Sequence, residues 1–385
     1  MNILKLNYKI RFLVGIIVGI IGLYYFSYNK SDNINFEELL LSKDATYRYG
    51  QLDNNKIHCQ DLRNIDECLL GYFKHGNNLP VTLWLGNSQL NVITDPKTGD
   101  KLSSETLHKL LKKKGQYLIT LSQPNANLQE HFILALHLIQ KLPIENIILP
   151  VVFDDLRENK IRNGIENIFN DHISKNFIAG SSATGKRLYD NYLRNNNNKD
   201  NFKDIKTHLL KDIKTHLLQE NTEKYLNKNL EKIWTLWSIR HDLRGRFIIF
   251  LHKLRNYVFN IDASSKRKML PFHYMNNFLA IEDLMKVLNN KRIKTLIYIA
   301  PIRDDYKIPY NLNEYNKFKK DLEYLSKKNN IKFTNLEHII PGFLWGKKTS
   351  ISFDKTAELD FMHIPGVGHD TLARSIYHEI AKLID

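Results

Sequence analysis

Two short blocks far apart in the chain carry the residue types that nucleophilic acyl chemistry needs. In Leu83-Trp84-Leu85-Gly86-Asn87-Ser88-Gln89 an apolar run ends in a small polar turn that presents Ser88. In Asp360-Phe361-Met362-His363 an acid and an imidazole stand three residues apart, just ahead of a helical pattern over 370–383. A serine hydroxyl is a weak nucleophile until a base takes its proton, and that base needs an acceptor to fix its tautomer and stabilise the imidazolium. Ser88 is therefore the candidate nucleophile, His363 the base and Asp360 its acid partner. His369 competes for the role of base, but Gly366 occupies the position three residues before it, where Asp360 stands for His363. His131 and His137, six residues apart on a helical pattern, do not share a face.

These side chains meet only if the intervening chain brings the two blocks together. Short apolar runs at 81–85, 117–121, 146–152, 295–300 and 331–336, most of them continuous rather than alternating, predict five strands, as expected where both faces are buried. Helical patterns at 128–141 and 313–328 separate several of them, which predicts an α/β fold, a three-layer α/β/α sandwich around a five-stranded parallel sheet. Ser88 then lies at the carboxyl end of the first strand, where open α/β sheets hold ligands. Between the third and fourth strands an insertion rich in Asn, Lys and Arg runs over about 158–291. It contains Lys-Asp-Ile-Lys-Thr-His-Leu-Leu at 203–210, repeated unchanged at 211–218, a local duplication far shorter than a solenoid unit. Its stretch 233–259 mixes aromatic and basic residues on a helical pattern, which fits a membrane interface and equally an amphipathic helix packed on the main domain.

With 385 residues, 43% hydrophobic and 25% charged, global disorder is excluded and there is room for one large domain with an insertion. Lys5, Lys9 and Arg11 precede an apolar run over 12–26, so 1–28 reads as an uncleaved, single-pass membrane anchor with its basic end in the cytoplasm. The remainder is then extracytoplasmic, on the periplasmic or cell-surface side of the cell membrane. Residues 29–78 read as a stalk leading into the fold, and 79–385 as the domain. A net charge of +15 favours anionic surroundings. No nucleic-acid-binding motif is visible, so lipid headgroups or an acidic envelope polymer fit better than nucleic acid. Cys59 and Cys68 are the only cysteines and lie close together; outside the cytoplasm they could close one local disulfide, two free thiols being the alternative. Nothing in the pattern calls for a metal or a cofactor.

The order of these features resembles the SGNH hydrolase superfamily, also called GDSL-like, over 81–385 with the insertion left out. In that family a Gly-Asp-Ser block follows the first strand, and an Asp-x-x-His block leads through a glycine into the last helix. Gly86-Asn87-Ser88 takes the first place, with Asn87 where Asp is usual, and Asp360-Phe361-Met362-His363 with Gly368 takes the second. The resemblance implies a flavodoxin-like sheet, an acyl-enzyme on Ser88, and His363 and Asp360 as its partners. It also implies an oxyanion hole built from the nucleophile's amide, a glycine after the second strand and an asparagine after the third. Here those loops read Pro124-Asn125-Ala126-Asn127 and Val152-Phe153-Asp154-Asp155. A side-chain amide can donate to an oxyanion and an ionised carboxylate cannot, so Asn125 joins the Ser88 amide as candidate donor and Asp154 is left to structure. Asp154 with Asp155 as an acid/base or metal pair is a weaker reading. Asn87, Gln89 and Arg303, which follows the fourth strand, are candidates for substrate contacts.

Asn87, the anchor and the basic insertion point, within that resemblance, to envelope acyltransferase branches such as the D-alanyl-transfer proteins of teichoic-acid modification. The implied reaction is acyl transfer to a cell-envelope polysaccharide or teichoic-acid-like acceptor, with a membrane-bound O-acyltransferase as partner. An extracytoplasmic esterase and a non-catalytic module that binds glycan or organises a complex are the alternatives.

Overall fold

The computed structural model describes residues 45–47, 50–52, 55–76, 78–207, 240–349 and 357–384. The expected fold included a membrane-spanning helix. It falls on 1–28, outside the described residues, and among the described residues no helix is long and apolar enough to cross a membrane. The second copy of the tandem repeat, Trp234 and Trp237 also lie outside them.

Strands β1 (His58–Cys59), β2 (Val81–Gly86), β3 (Tyr117–Ser122), β4 (Ile144–Val151), β5 (Lys294–Ile299) and β6 (Lys332–Asn335) form one sheet in the order β6-β5-β4-β2-β3-β1. Every pairing in it is parallel. The sheet therefore has six strands where five were expected. The additional strand is two residues long, His58 pairing with Thr120 and Cys59 with Leu121, and it comes from the segment read as a stalk. No apolar run announces it, because its His58 is buried as a polar group, with ring nitrogens 2.9 Å from Ser104 Oγ and 2.6 Å from Ser122 Oγ.

Successive side chains of a strand point to opposite faces, so Leu83 and Leu85 enter one core layer while Trp84 enters the other. Helices α1 (Ile65–His75), α2 (Ser103–Lys112), α3 (Leu128–Ile139), α4 (Pro271–Asn290), α5 (Leu312–Lys328) and α6 (Gly366–Ile384) flank the sheet. Helices α1, α3, α4 and α5 share the first layer, and α2 and α6 the second. Helix α3 is buried from Leu128 to Leu138, as a helix apolar on most sides must be, and starts on a reciprocal capping box between Asn127 and Glu130. The residues of helix α4 were read as part of the insertion. It packs Ala280, Ile281, Leu284, Met285 and Leu288 into the first layer and is the crossover helix from β4 to β5. Cys59 and Cys68 are disulfide-bonded, with Cα atoms 6.2 Å apart, which ties α1 to the edge strand.

Two compact units divide the chain. The described residues of one hold the sheet, and those of the other include the helix Arg240–Val258. Within the sheet, β3-β2-β4-β5-β6 is the flavodoxin-like order, in which the chain reverses direction across the sheet between β2 and β4. Ligands of such folds sit in the crevice at that reversal. The loops leaving β2 and β4 carry Ser88 and Asp155.

Candidate active site

Strand β2 ends at Gly86 and the chain passes into a short 3-10 helix, Ser88–Leu90, capped by Asn87. Asn87 Oδ1 accepts the Gln89 amide at 3.0 Å, and Asn87 O accepts the Leu90 amide at 3.1 Å. Asn87 and Gln89 are buried and Ser88 between them is half-buried, so the turn points its hydroxyl outward from two anchored neighbours.

His363 Nε2 lies 3.2 Å from Ser88 Oγ, and His363 Nδ1 lies 2.8 Å from Asp360 Oδ2. Asp360 is 1% exposed, and its other oxygen accepts the backbone amides of Met362 and His363 at 2.9 and 3.0 Å. Burial alone pushes this carboxyl up, but neighbouring His363, the charge of Lys348 and the Met362 amide outweigh it and hold it well below the usual carboxylate range. An ionised acid at Nδ1 keeps a proton on that nitrogen and leaves the Nε2 lone pair facing the serine.

The loop bearing His363 is held from several directions. An antiparallel ladder of Lys347–Thr349 with Ala357–Leu359 delivers Asp360, whose amide donates to Gly346 O at 3.4 Å. Gln89 Nε2 donates to Met362 O at 2.8 Å and to Pro301 O at 2.9 Å. Beyond the histidine, Thr94 N donates to Ile364 O at 3.1 Å, and α6 begins at Gly366.

Three residues expected to touch substrate have hydrogen-bond partners within the protein. Gln89 clamps the histidine loop as just described. Arg303 is buried, donates to both Asp305 oxygens at 2.6 and 3.0 Å and to Gly346 O at 2.7 Å, and so braces the ladder before Asp360. Asn87 Nδ2 donates to Asp155 Oδ1 and Oδ2 at 3.3 and 3.4 Å. His369, the competing base, is buried away from Ser88. Its Nδ1 accepts the Ser103 amide at 3.3 Å, its Nε2 donates to Val92 O at 3.0 Å, and burial pushes it down to about 4.

Asn125 follows β3 with φ of 52°, in the left-handed region that asparagine tolerates and most other residues do not. An asparagine thus supplies the backbone freedom for which a glycine was expected. Its exposed side chain lines an open cavity of about 540 Å³ together with Asp155, Lys160, Arg162 and Arg267. Asp154 lines it too but is held by Arg157 at 3.1 Å, Tyr310 at 3.0 Å and Arg267. Its oxygens are thus met by two guanidinium groups and a phenol. Asp155 is buried, accepts Val152 N at 3.3 Å, and is pushed well above the usual carboxylate range by that burial. Its contact with Asn87 was not foreseen; the only sequence signal for it is that both residues follow strands flanking the topological switch point.

No family model matches the chain, and no curated protein does. Among solved structures it is similar to a protein of Bacteroides fragilis NCTC 9343 provisionally described as an acylhydrolase, at 10% identity and a TM-score of 0.36, over 85% of this chain and 100% of that one. A likeness this loose assigns neither family nor activity. What the site can do rests on its own geometry.

Proposed function

We propose that the protein is a serine-dependent acyl-ester enzyme that works through an acyl-enzyme on Ser88. The observation that supports this is the continuous relay Asp360, His363, Ser88, with contacts of 2.8 and 3.2 Å. Ser88 Oγ attacks the carbonyl carbon of an acyl ester while its proton passes to His363 Nε2, and Asp360 balances the charge this creates. The Ser88 amide and Asn125 are the donors assigned to the oxyanion. His363 then returns the proton to the departing alkoxide as the ester bond breaks, leaving the acyl group on Ser88. In the second half His363 deprotonates an acceptor hydroxyl, whose oxygen attacks the acyl carbonyl and restores the Ser88 hydroxyl. Water as acceptor releases a free acid, and a sugar or polyol hydroxyl yields a new ester.

The acceptor favoured is an acidic, hydroxyl-bearing envelope polymer, a polysaccharide or a teichoic-acid-like chain. The net charge of +15 supports it. The Cys59–Cys68 disulfide supports an oxidising, extracytoplasmic location. Incubation with p-nitrophenyl acetate followed by an acid quench should release p-nitrophenol and leave an acetyl adduct, visible by intact mass, on the wild-type chain and not on Ser88→Ala. A poly(glycerol phosphate) acceptor should then speed loss of the adduct and gain the acetyl group. Loss to water alone makes the protein an esterase, and p-nitrophenol release no faster than that of Ser88→Ala contradicts acyl chemistry altogether.

A further inference from the structure

Asn87 and Asp155 leave the two strands that flank the switch point, and both are buried, at 4% and 5% exposure. The Gln89 backbone amide can only donate and takes Asn87 Oδ1 at 3.0 Å. The Nδ2 group is thereby turned to Asp155, whose oxygens accept at 3.3 and 3.4 Å. Asp155 is itself held by Val152 N at 3.3 Å. A line of hydrogen bonds thus runs from the end of β4, through Asp155 and Asn87, to the turn that carries Ser88.

We propose that Asp155 is a positioning residue that acts through Asn87 to fix the Ser88 turn against His363. This rests on the reading of Ser88 as the nucleophile. The Ser88 to His363 contact is 3.2 Å, so a small rotation of the turn takes the hydroxyl out of reach of its base. The same pairing requires an amide at position 87. An aspartate there sets a second carboxyl at hydrogen-bond distance from the buried Asp155, and neither repulsion between two carboxylates nor a proton shared by them reproduces the contacts of the amide, so the turn is displaced.

The test is the rate at which a fluorophosphonate labels Ser88 in folded protein, with ester turnover and thermal unfolding followed in parallel. Asn87→Asp is expected to label about 100-fold more slowly, as misplacement of a reacting group by about an ångström does, with kcat falling and KM little changed. The double exchange Asn87→Asp with Asp155→Asn restores an amide facing a carboxylate with the roles reversed, and should recover labelling to within about tenfold of wild type. Asp155→Ala, which introduces no repulsion, should fold and label slowly, and it carries the test if Asn87→Asp does not fold. Wild-type rates in Asn87→Asp or in Asp155→Ala overturn the proposal, as does a folded double exchange no faster than Asn87→Asp. Wild-type protein that fails to label would instead sink the reading of Ser88, so the two failures are distinguishable.

Discussion

His363→Ala is expected to lower kcat/KM for ester cleavage by about 10⁴- to 10⁶-fold, the range seen when the base of a serine triad is removed. Asp360→Asn should lose about 10³- to 10⁴-fold, and the geometry says why. One Asp360 oxygen already accepts the Met362 and His363 amides at 2.9 and 3.0 Å. An asparagine keeps its carbonyl there and turns its NH₂ towards His363 Nδ1, which forces the ring proton onto Nε2 and blocks acceptance from Ser88. Both losses should fall on kcat, since neither side chain is placed to bind the substrate ground state. His369→Ala should keep the turnover of the folded fraction and lower stability by about 1–3 kcal/mol, because the buried Ser103 amide and Val92 carbonyl lose their partner. Steady-state kinetics on the three variants decide it. A large kcat loss in His369→Ala with an active His363→Ala would reverse the assignment.

Acid should destabilise the protein well above the pH at which ordinary carboxylates are protonated. Burial keeps four described histidines neutral, His58 and His131 pushed down from 6.5 to about 3, His137 and His369 to about 4. Their folded values lie below the unfolded value, so the unfolded chain takes up protons that the folded chain refuses. The stability they contribute is complete above pH 6.5 and is lost progressively as pH falls towards 4 to 3. Each unit of pH in that window removes about 1.4 kcal/mol per group. At pH 5.5 the four together remove about 6 kcal/mol, comparable with the whole stability of a typical domain, about 5–15 kcal/mol. Asp155 works in the opposite sense, since a carboxyl raised by burial takes up its proton first in the folded state, and it offsets part of this loss. Urea midpoints between pH 7.5 and 5 should therefore fall steeply, and a flat profile contradicts the account. His131 is the diagnostic group because neither ring nitrogen has a hydrogen-bond partner. His131→Leu strands no other polar group and should stabilise the protein while moving the acid midpoint downward. His58→Leu leaves the Ser104 and Ser122 hydroxyls behind and should gain less.

Strands β2 to β5 are legible in the sequence because strands covered on both faces must be mostly apolar, as 81–85 and 117–121 are apart from Thr82 and Thr120. The Ser88 turn and the Asp360 to His363 block are legible for a different reason: each is local, and its chemistry follows from residue type and spacing. The rest depends on contacts between distant parts of the chain. Strand β1 is a two-residue pairing that leaves no periodic trace. Helix α4 carries Asn276 and Asn277 in its buried face, where Asn277 donates to Leu156 O, Glu158 O and His273 O, so its pattern matches the polar insertion before it rather than a core helix. Gln89 looks like a residue waiting for substrate until its partner, Met362, is found 273 positions away. Asn87 and Arg303 likewise have partners distant in the chain, Asp155 and Gly346, that no local pattern shows.

Labelling with a fluorophosphonate tests the central claim most directly, since the reagent captures a serine only when its hydroxyl is activated by a neighbouring base. Folded wild-type protein should yield one modified peptide, containing Ser88, and the label should disappear in Ser88→Ala, in His363→Ala and after denaturation. A folded wild-type chain that remains unlabelled, or a Ser88→Ala chain that labels as fast as wild type, would contradict a catalytic Ser88.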